Sequence, residues 1–81
     1  MNKFEVYKQK SGYSYAELAL IMGASKSYTN AIIKNPGAHD NLLFLIRVGF
    51  VIGMSDQLVR DTWVTLRRER QNARIQKRAR I

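Results

Sequence analysis

The chain has no cysteine, one proline and one histidine among its 81 residues. Without cysteine there can be neither a disulfide scaffold nor a thiolate metal site. The single His39 follows a Pro-Gly-Ala segment and has no neighbour at metal-ligand spacing, so it reads as a cap or a solvent-facing side chain. Acidic residues are also scarce, and no paired carboxylates, Ser/His/Asp set or Gly-rich phosphate loop stands out. Glu17 has the position of a helix cap, and Asp56 and Asp61 that of helix surface. An enzyme, a resident metal and a cofactor are therefore not expected. Long apolar runs are missing too: residues 42–54 form the longest, Arg47 interrupts it, and it is too short to span a bilayer. Nothing has the pattern of a secretory signal. There is no internal repeat and no alternating strand signal, which leaves an all-α class.

Positive charge is abundant and unevenly spread. The formal net charge is +8, and residues 67–81 (RRERQNARIQKRARI) hold seven of the fourteen Lys and Arg against one acid, Glu69. The chain therefore divides into a domain over residues 1–66 and a basic extension over residues 67–81. Such a segment is the footprint expected of a polyanionic partner, although a solubilising tail would have the same composition. It carries too few large apolar residues for an interfacial membrane helix. A chain of this length is one domain that buries about 60% of its unfolded surface, with stability on the order of 5 kcal/mol.

Periodicity and capping signals predict five helices. The first covers roughly Asn2 to Lys10 with Phe4 and Tyr7 inward, and Ser11-Gly12 ends it. Ser14, followed three residues later by Glu17, forms a capping box for the second, which runs to Met22 with Leu18, Ala19 and Met22 on one face. The third starts after Ser25 and stops near Lys34, because Asn35 precedes Pro36 and Gly37 loosens the loop further. The fourth begins near Asp40 as N-cap, carries the stripe Leu42, Leu45, Ile46, Gly49 and Ile52, and ends at Gly53. Gly49 costs roughly 1 kcal/mol against alanine inside a helix, so a neighbouring helix is expected to approach closely there. Ser55 caps the fifth, whose stripe is Leu58, Val59, Thr62, Trp63 and Leu66. Beyond Leu66 only Ile75 and Ile81 remain apolar in register, and periodicity does not decide whether residues 67–81 continue the helix.

Residues 15–34, YAELALIMGASKSYTNAIIK, have the spacing of a helix-turn-helix. Leu18 and the small Ala19 suit a helix crossing, and Gly23 sits where the chain must turn with positive φ. Ala24, Ser25 and Ile32 supply a small apolar residue, a polar N-cap and an inward face. One face of residues 25–34 is then free to enter a DNA major groove.

Over about residues 4–60 the chain resembles the Cro and phage-repressor-like (XRE-type) helix-turn-helix proteins. The resemblance rests on Phe4, Tyr7, Gly12-Tyr13-Ser14 and Glu17-Leu18-Ala19, on Met22-Gly23-Ala24-Ser25 and Ile32, and on Leu45, Val48, Gly49 and Ile52-Gly53-Met54-Ser55. Thr29, Tyr15 and Ile33 depart from that family's usual residues, and residues 67–81 have no counterpart in its shortest members. The resemblance implies a five-helix repressor-like domain in the cytoplasm of a bacterial or phage-infected cell. It also implies base contacts near the start of helix three, at Lys26, Ser27 and Tyr28.

The residue chemistry is compatible with that. Lysine can donate to guanine, serine to several base edges, asparagine can pair with adenine, and an alanine methyl can touch thymine, so Lys26, Ser27, Tyr28, Asn30 and Ala31 are the candidate base contacts. Tyr15 and Lys34 are candidate phosphate contacts, together with Arg67, Arg68, Arg70, Arg74, Lys77, Arg78 and Arg80 of the extension. One helix in one groove covers few base pairs, so a homodimer on an inverted-repeat operator is expected. Its surface would be Leu58, Val59, Thr62, Trp63 and Leu66, unless that stripe is core. The expected function is a sequence-specific duplex-DNA repressor. Two alternatives stand beside it: an RNA-binding or architectural protein dominated by the arginine-rich extension, whose texture resembles antitermination segments, and a protein-interaction module such as an antitoxin or packaging adaptor.

Overall fold

A computed structural model describes residues 1–38 and 40–79 and places side chains as far as Ala73. His39, read as a cap or a solvent-facing side chain, and the candidate contact Arg80 lie outside the described residues, as do the side chains of Arg74, Lys77 and Arg78. The helices are α1 (Lys3–Ser11), α2 (Tyr15–Met22), α3 (Lys26–Lys34), α4 (Leu42–Ile52) and α5 (Asp56–Ala79), with a 3-10 turn at Pro36–Ala38. No strand occurs among the described residues, so the class is all-α. None of these helices is long and apolar enough to cross a membrane.

Local chemistry accounts for most of the boundaries. The Ser14–Glu17 capping box is formed: Glu17 N donates to Ser14 Oγ at 3.1 Å and Ser14 N to Glu17 Oε1 at 3.2 Å. Gly12, Gly23 and Gly53 close α1, α2 and α4 in the left-handed region, at φ 80°, 67° and 91°. Ser55 Oγ accepts from Leu58 N at 3.1 Å and starts α5.

Three features differ from the sequence expectation. Asn2 is not the first residue of α1 but its N-cap, within a second capping box with Glu5. Its amide also reaches across the molecule, donating from Nδ2 to the carbonyls of Ile33 at 2.9 Å and Lys34 at 3.3 Å. One side chain thus satisfies orphan groups at the start of α1 and at the end of α3. Asp40 does not cap α4. The cap position is Asn41, whose backbone (φ −121°, ψ 40°) is not the extended conformation a capping side chain needs, and it makes no capping bond. Gly37 does not loosen its loop. It is buried, and a Cβ built on it would stand 3.1 Å from the Leu66 carbonyl carbon and oxygen, so the 3-10 turn lies directly on the backbone of α5.

The core joins all five helices through Phe4, Leu18, Ile32, Ile33, Leu45, Val48, Ile52, Met54 and Val59. Val48, absent from the periodic stripe read in helix four, is fully buried, whereas Ile46 is only partly covered. The buried hydroxyls of Thr29 and Thr62 donate to the carbonyls one turn back, Ser25 at 2.9 Å and Leu58 at 2.7 Å, so neither is left unpaired. Gly49 meets the predicted close approach: an added Cβ would sit 2.4 Å from Val59 Cγ2. Helix α5 passes residue 66 without a break and continues to Ala79.

Candidate nucleic-acid interface

The α2–α3 turn consists of Gly23, Ala24 and Ser25. Ala24 N donates to Ala19 O at 3.0 Å, and Ser25 Oγ accepts from Tyr28 N at 3.1 Å, which fixes where α3 begins. Thr29, Ile32 and Ile33 anchor one side of α3 in the core. At about 100° per residue, Ser27, Ala31 and Lys34 fall on the opposite side. All three are exposed, as is Lys26 in the first turn. Nine residues, KSYTNAIIK, carry two lysines and no acid. The surface is therefore positive and rich in donors, and the helix start adds its own partial positive charge.

Two of the candidate base contacts have other surroundings. Tyr28 is 42% exposed, but its ring meets Phe44 edge-on at 5.2 Å between centroids and its hydroxyl donates to Asn41 Oδ1 at 3.2 Å. It bridges α3 to the start of α4 through the Asn41 side chain. Asn30 is half-buried, and its Oδ1 is enclosed without a hydrogen-bond partner. It flanks the outward face and does not crown it.

Tyr15, at the start of α2, gathers charge from two other helices, α1 and α3. Lys8 Nζ lies 4.2 Å from its ring centroid and Lys34 Nζ 5.9 Å. Burial, and secondarily the negative charge of Glu5, push its pKa above the ordinary phenol value of 10.0, so the hydroxyl stays a hydrogen-bond donor at neutral pH. Lys8 was not among the sequence candidates. It belongs to α1, and the turn between α1 and α2 brings it beside Tyr15. Lys34 and Arg70 share the lining of an open groove of about 240 Å³, together with Glu5 and Asn2. Lys8, Tyr15, Lys34 and Arg70 therefore run as a donor track along the edge of α3. Arg67 lies over the Trp63 ring at 4.9 Å, while Arg68 and Arg70 are exposed.

The α5 stripe expected as a dimer surface is mostly internal. Val59 and Thr62 are buried, and Leu58, Trp63 and Leu66 are partly buried against the core. An 81-residue chain has few apolar side chains to spare, and the first turns of α5 supply one wall of its only described core.

Comparison with family models, with curated proteins and with solved structures returns no match.

Proposed function

We propose that the chain is a sequence-specific duplex-DNA-binding regulator of the helix-turn-helix repressor type, acting as a homodimer on an inverted-repeat operator. In this proposal α3 enters the major groove, with Lys26, Ser27 and Ala31 facing base edges. Tyr28 and Asn30 border that surface. Tyr15, Lys34, Lys8 and Arg70 grip phosphates beside it, and the remaining basic residues of α5 add sequence-independent attraction. Occupying the operator would exclude polymerase, as in a phage or mobile-element repressor.

The observation that carries the proposal is the outward face of α3. It is acid-free and held rigidly by Thr29, Ile32 and Ile33, with a donor track along its edge. Reading bases requires such a surface: phosphate contacts set the register, and a fixed helix face then presents side chains to base edges. Selection from a random duplex pool by the full chain, at near-physiological salt with excess competitor DNA, tests it. Enrichment of an inverted repeat with half-sites about ten base pairs apart is expected. Binding without any enrichment contradicts it.

One observation favours a second assignment. Helix α5 continues to Ala79 as a basic rod, which suits an RNA-binding or architectural protein in which α3 is passive. Deleting residues 67–81 separates the two. A repressor keeps its sequence preference at lower affinity, whereas a tail-driven binder loses nucleic acid altogether.

A further inference from the structure

Helix α4 has an unusual composition for a surface helix. Its eleven residues, LLFLIRVGFVI, include one charge, Arg47, and are apolar on every side. Such a helix is ordinarily buried all round. Here Leu43 is 66% and Phe50 86% exposed, and Ile21 of the adjoining α2 is 52% exposed. Leu43, Arg47 and Phe50 fall at i, i+4 and i+7, so they form one stripe opposite the buried Leu45, Val48 and Gly49. Between α2 and α4 lies an open groove of about 420 Å³, lined by Ile21, Met22, Ile46 and Val51 together with Arg47 and Phe50, which forms one of its edges.

We propose that this face binds a second copy of the chain, with Phe50 of each protomer seated in the groove of the other. Knob and groove lie side by side on one surface, and a two-fold contact requires both halves on each protomer. The area also suits a dimer. Phe50 offers on the order of 150 Å², and Leu43, Ile21 and the groove walls bring the apolar area to roughly 500 Å² per protomer. Two copies would bury about 1,000 Å² before any polar rim, which meets the minimum for a biological interface and belongs to the weak, reversible class. Polyanions are poorly served by a stripe with one cation, and a charged protein surface would find no complement on it. A second copy brings the same scarcity of charge, and Arg47 can lay its stem on apolar surface with its head in water.

The placement is compatible with α3 staying open. Tyr28 packs on Phe44, which lies about 120° around α4 from Phe50. The assignment names the surface of the homodimer in the proposed function and rests on that reading in this respect only. Its test is made without DNA, so loss of self-association and loss of base reading are told apart.

Sedimentation equilibrium of the full chain from about 5 to 200 µM is the test. Reversible self-association is expected, and Phe50→Asp should weaken it by at least about 30-fold. Because Phe50 is exposed, the urea midpoint of that variant should match the parent. The chain has no cysteine, so Arg47→Cys, which keeps Phe50 and lies on the same stripe, and the exposed control Gln9→Cys can each be treated with a short bis-maleimide. Cross-linked dimer should form preferentially at position 47. Wild-type chain that is monomeric throughout overturns the proposal, as does undiminished association of Phe50→Asp or equal cross-linking at both positions. A different protein found on this face in the native complex, displaced by Phe50→Asp, would also overturn it.

Discussion

Gly49→Ala sets two effects of opposite sign against each other, and the geometry decides between them. Alanine in a helix interior is favoured over glycine by about 1 kcal/mol, so propensity alone predicts a more stable protein. The new Cβ, however, would stand 2.4 Å from Val59 Cγ2. Valine cannot swing that methyl aside, because its β-branch holds χ1 in one rotamer on a helix, and Val59 is fully buried. Either α4 and α5 separate or a rotamer is strained, and overpacking of this kind costs about 1–3 kcal/mol. The net expectation is a loss of about 1 kcal/mol, or a fall in Tm of roughly 4–8 °C for a domain of this size. Val59→Ala removes the obstructing methyl. On its own it should cost about 2 kcal/mol in lost burial and cavity, but with Gly49→Ala the new methyl occupies part of the vacated space. The double variant should therefore be more stable than the sum of the singles predicts, by about 1 kcal/mol. Urea unfolding followed through the single tryptophan, Trp63, measures all four proteins. A Gly49→Ala variant more stable than the parent, or strict additivity in the double, would refute the reasoning.

Other outcomes follow from the contacts. Asn2→Ala loses both the α1 cap and the two bonds to the end of α3, and should cost about 2 kcal/mol in urea unfolding. Asn2→Ser keeps a capping oxygen and should cost about half as much. Tyr15→Phe retains the ring beneath Lys8 and Lys34 but removes the donor. Duplex affinity should fall several-fold, equally for all sequences, with stability unchanged within about 0.5 kcal/mol. Because the Tyr15 pKa is raised above 10.0, any folding contribution from the neutral phenol is complete below that value and fades only as pH climbs through the higher folded one. The Tyr15→Phe deficit in binding should therefore be constant from about pH 6 to 9. Truncation after Leu66 should flatten the dependence of log K on log salt by about 0.9 for each phosphate contact removed, as a fluorescence-anisotropy salt series would measure.

Local signals in the sequence were reliable where one residue settles its own surroundings. Gly23 and Gly53 had to adopt positive φ, and Ser14, Ser25 and Ser55 had backbone amides within reach three residues on. Asn2 carries the same signature through Glu5, although helix periodicity alone places it as the first residue of α1; its second role, on the α3 carbonyls 31 and 32 residues away, has no local signal. Periodicity located most of the α4 stripe, with Leu45, Gly49 and Ile52 buried and Leu42 and Ile46 partly so, but it left out Val48 for a physical reason. In LLFLIRVGFVI nearly every position is apolar, so more than one stripe fits and the choice between Val48 and Ile46 is made by packing. Gly37 looked like a flexible loop residue because the α5 backbone it touches lies thirty residues away in sequence. The face of α3 was readable from its spacing, but Lys8 joins Tyr15 only through the turn between α1 and α2, whose geometry helical periodicity does not give. The inward stripe of α5 was correctly located, and its side chains turned out to serve this chain's own core.

The central claim is that α3 reads bases, and a change of preference tests it more directly than a loss of binding. Ala31 is exposed on the outward face, and Ala31→Gln would add a side chain able to pair bidentately with adenine. Binding-site selection should be run in parallel on the parent and this variant. The account predicts an altered preference at one symmetry-related base pair in each half-site, with the rest of the operator unchanged. Identical preferences in the two selections, or none in either, would contradict it.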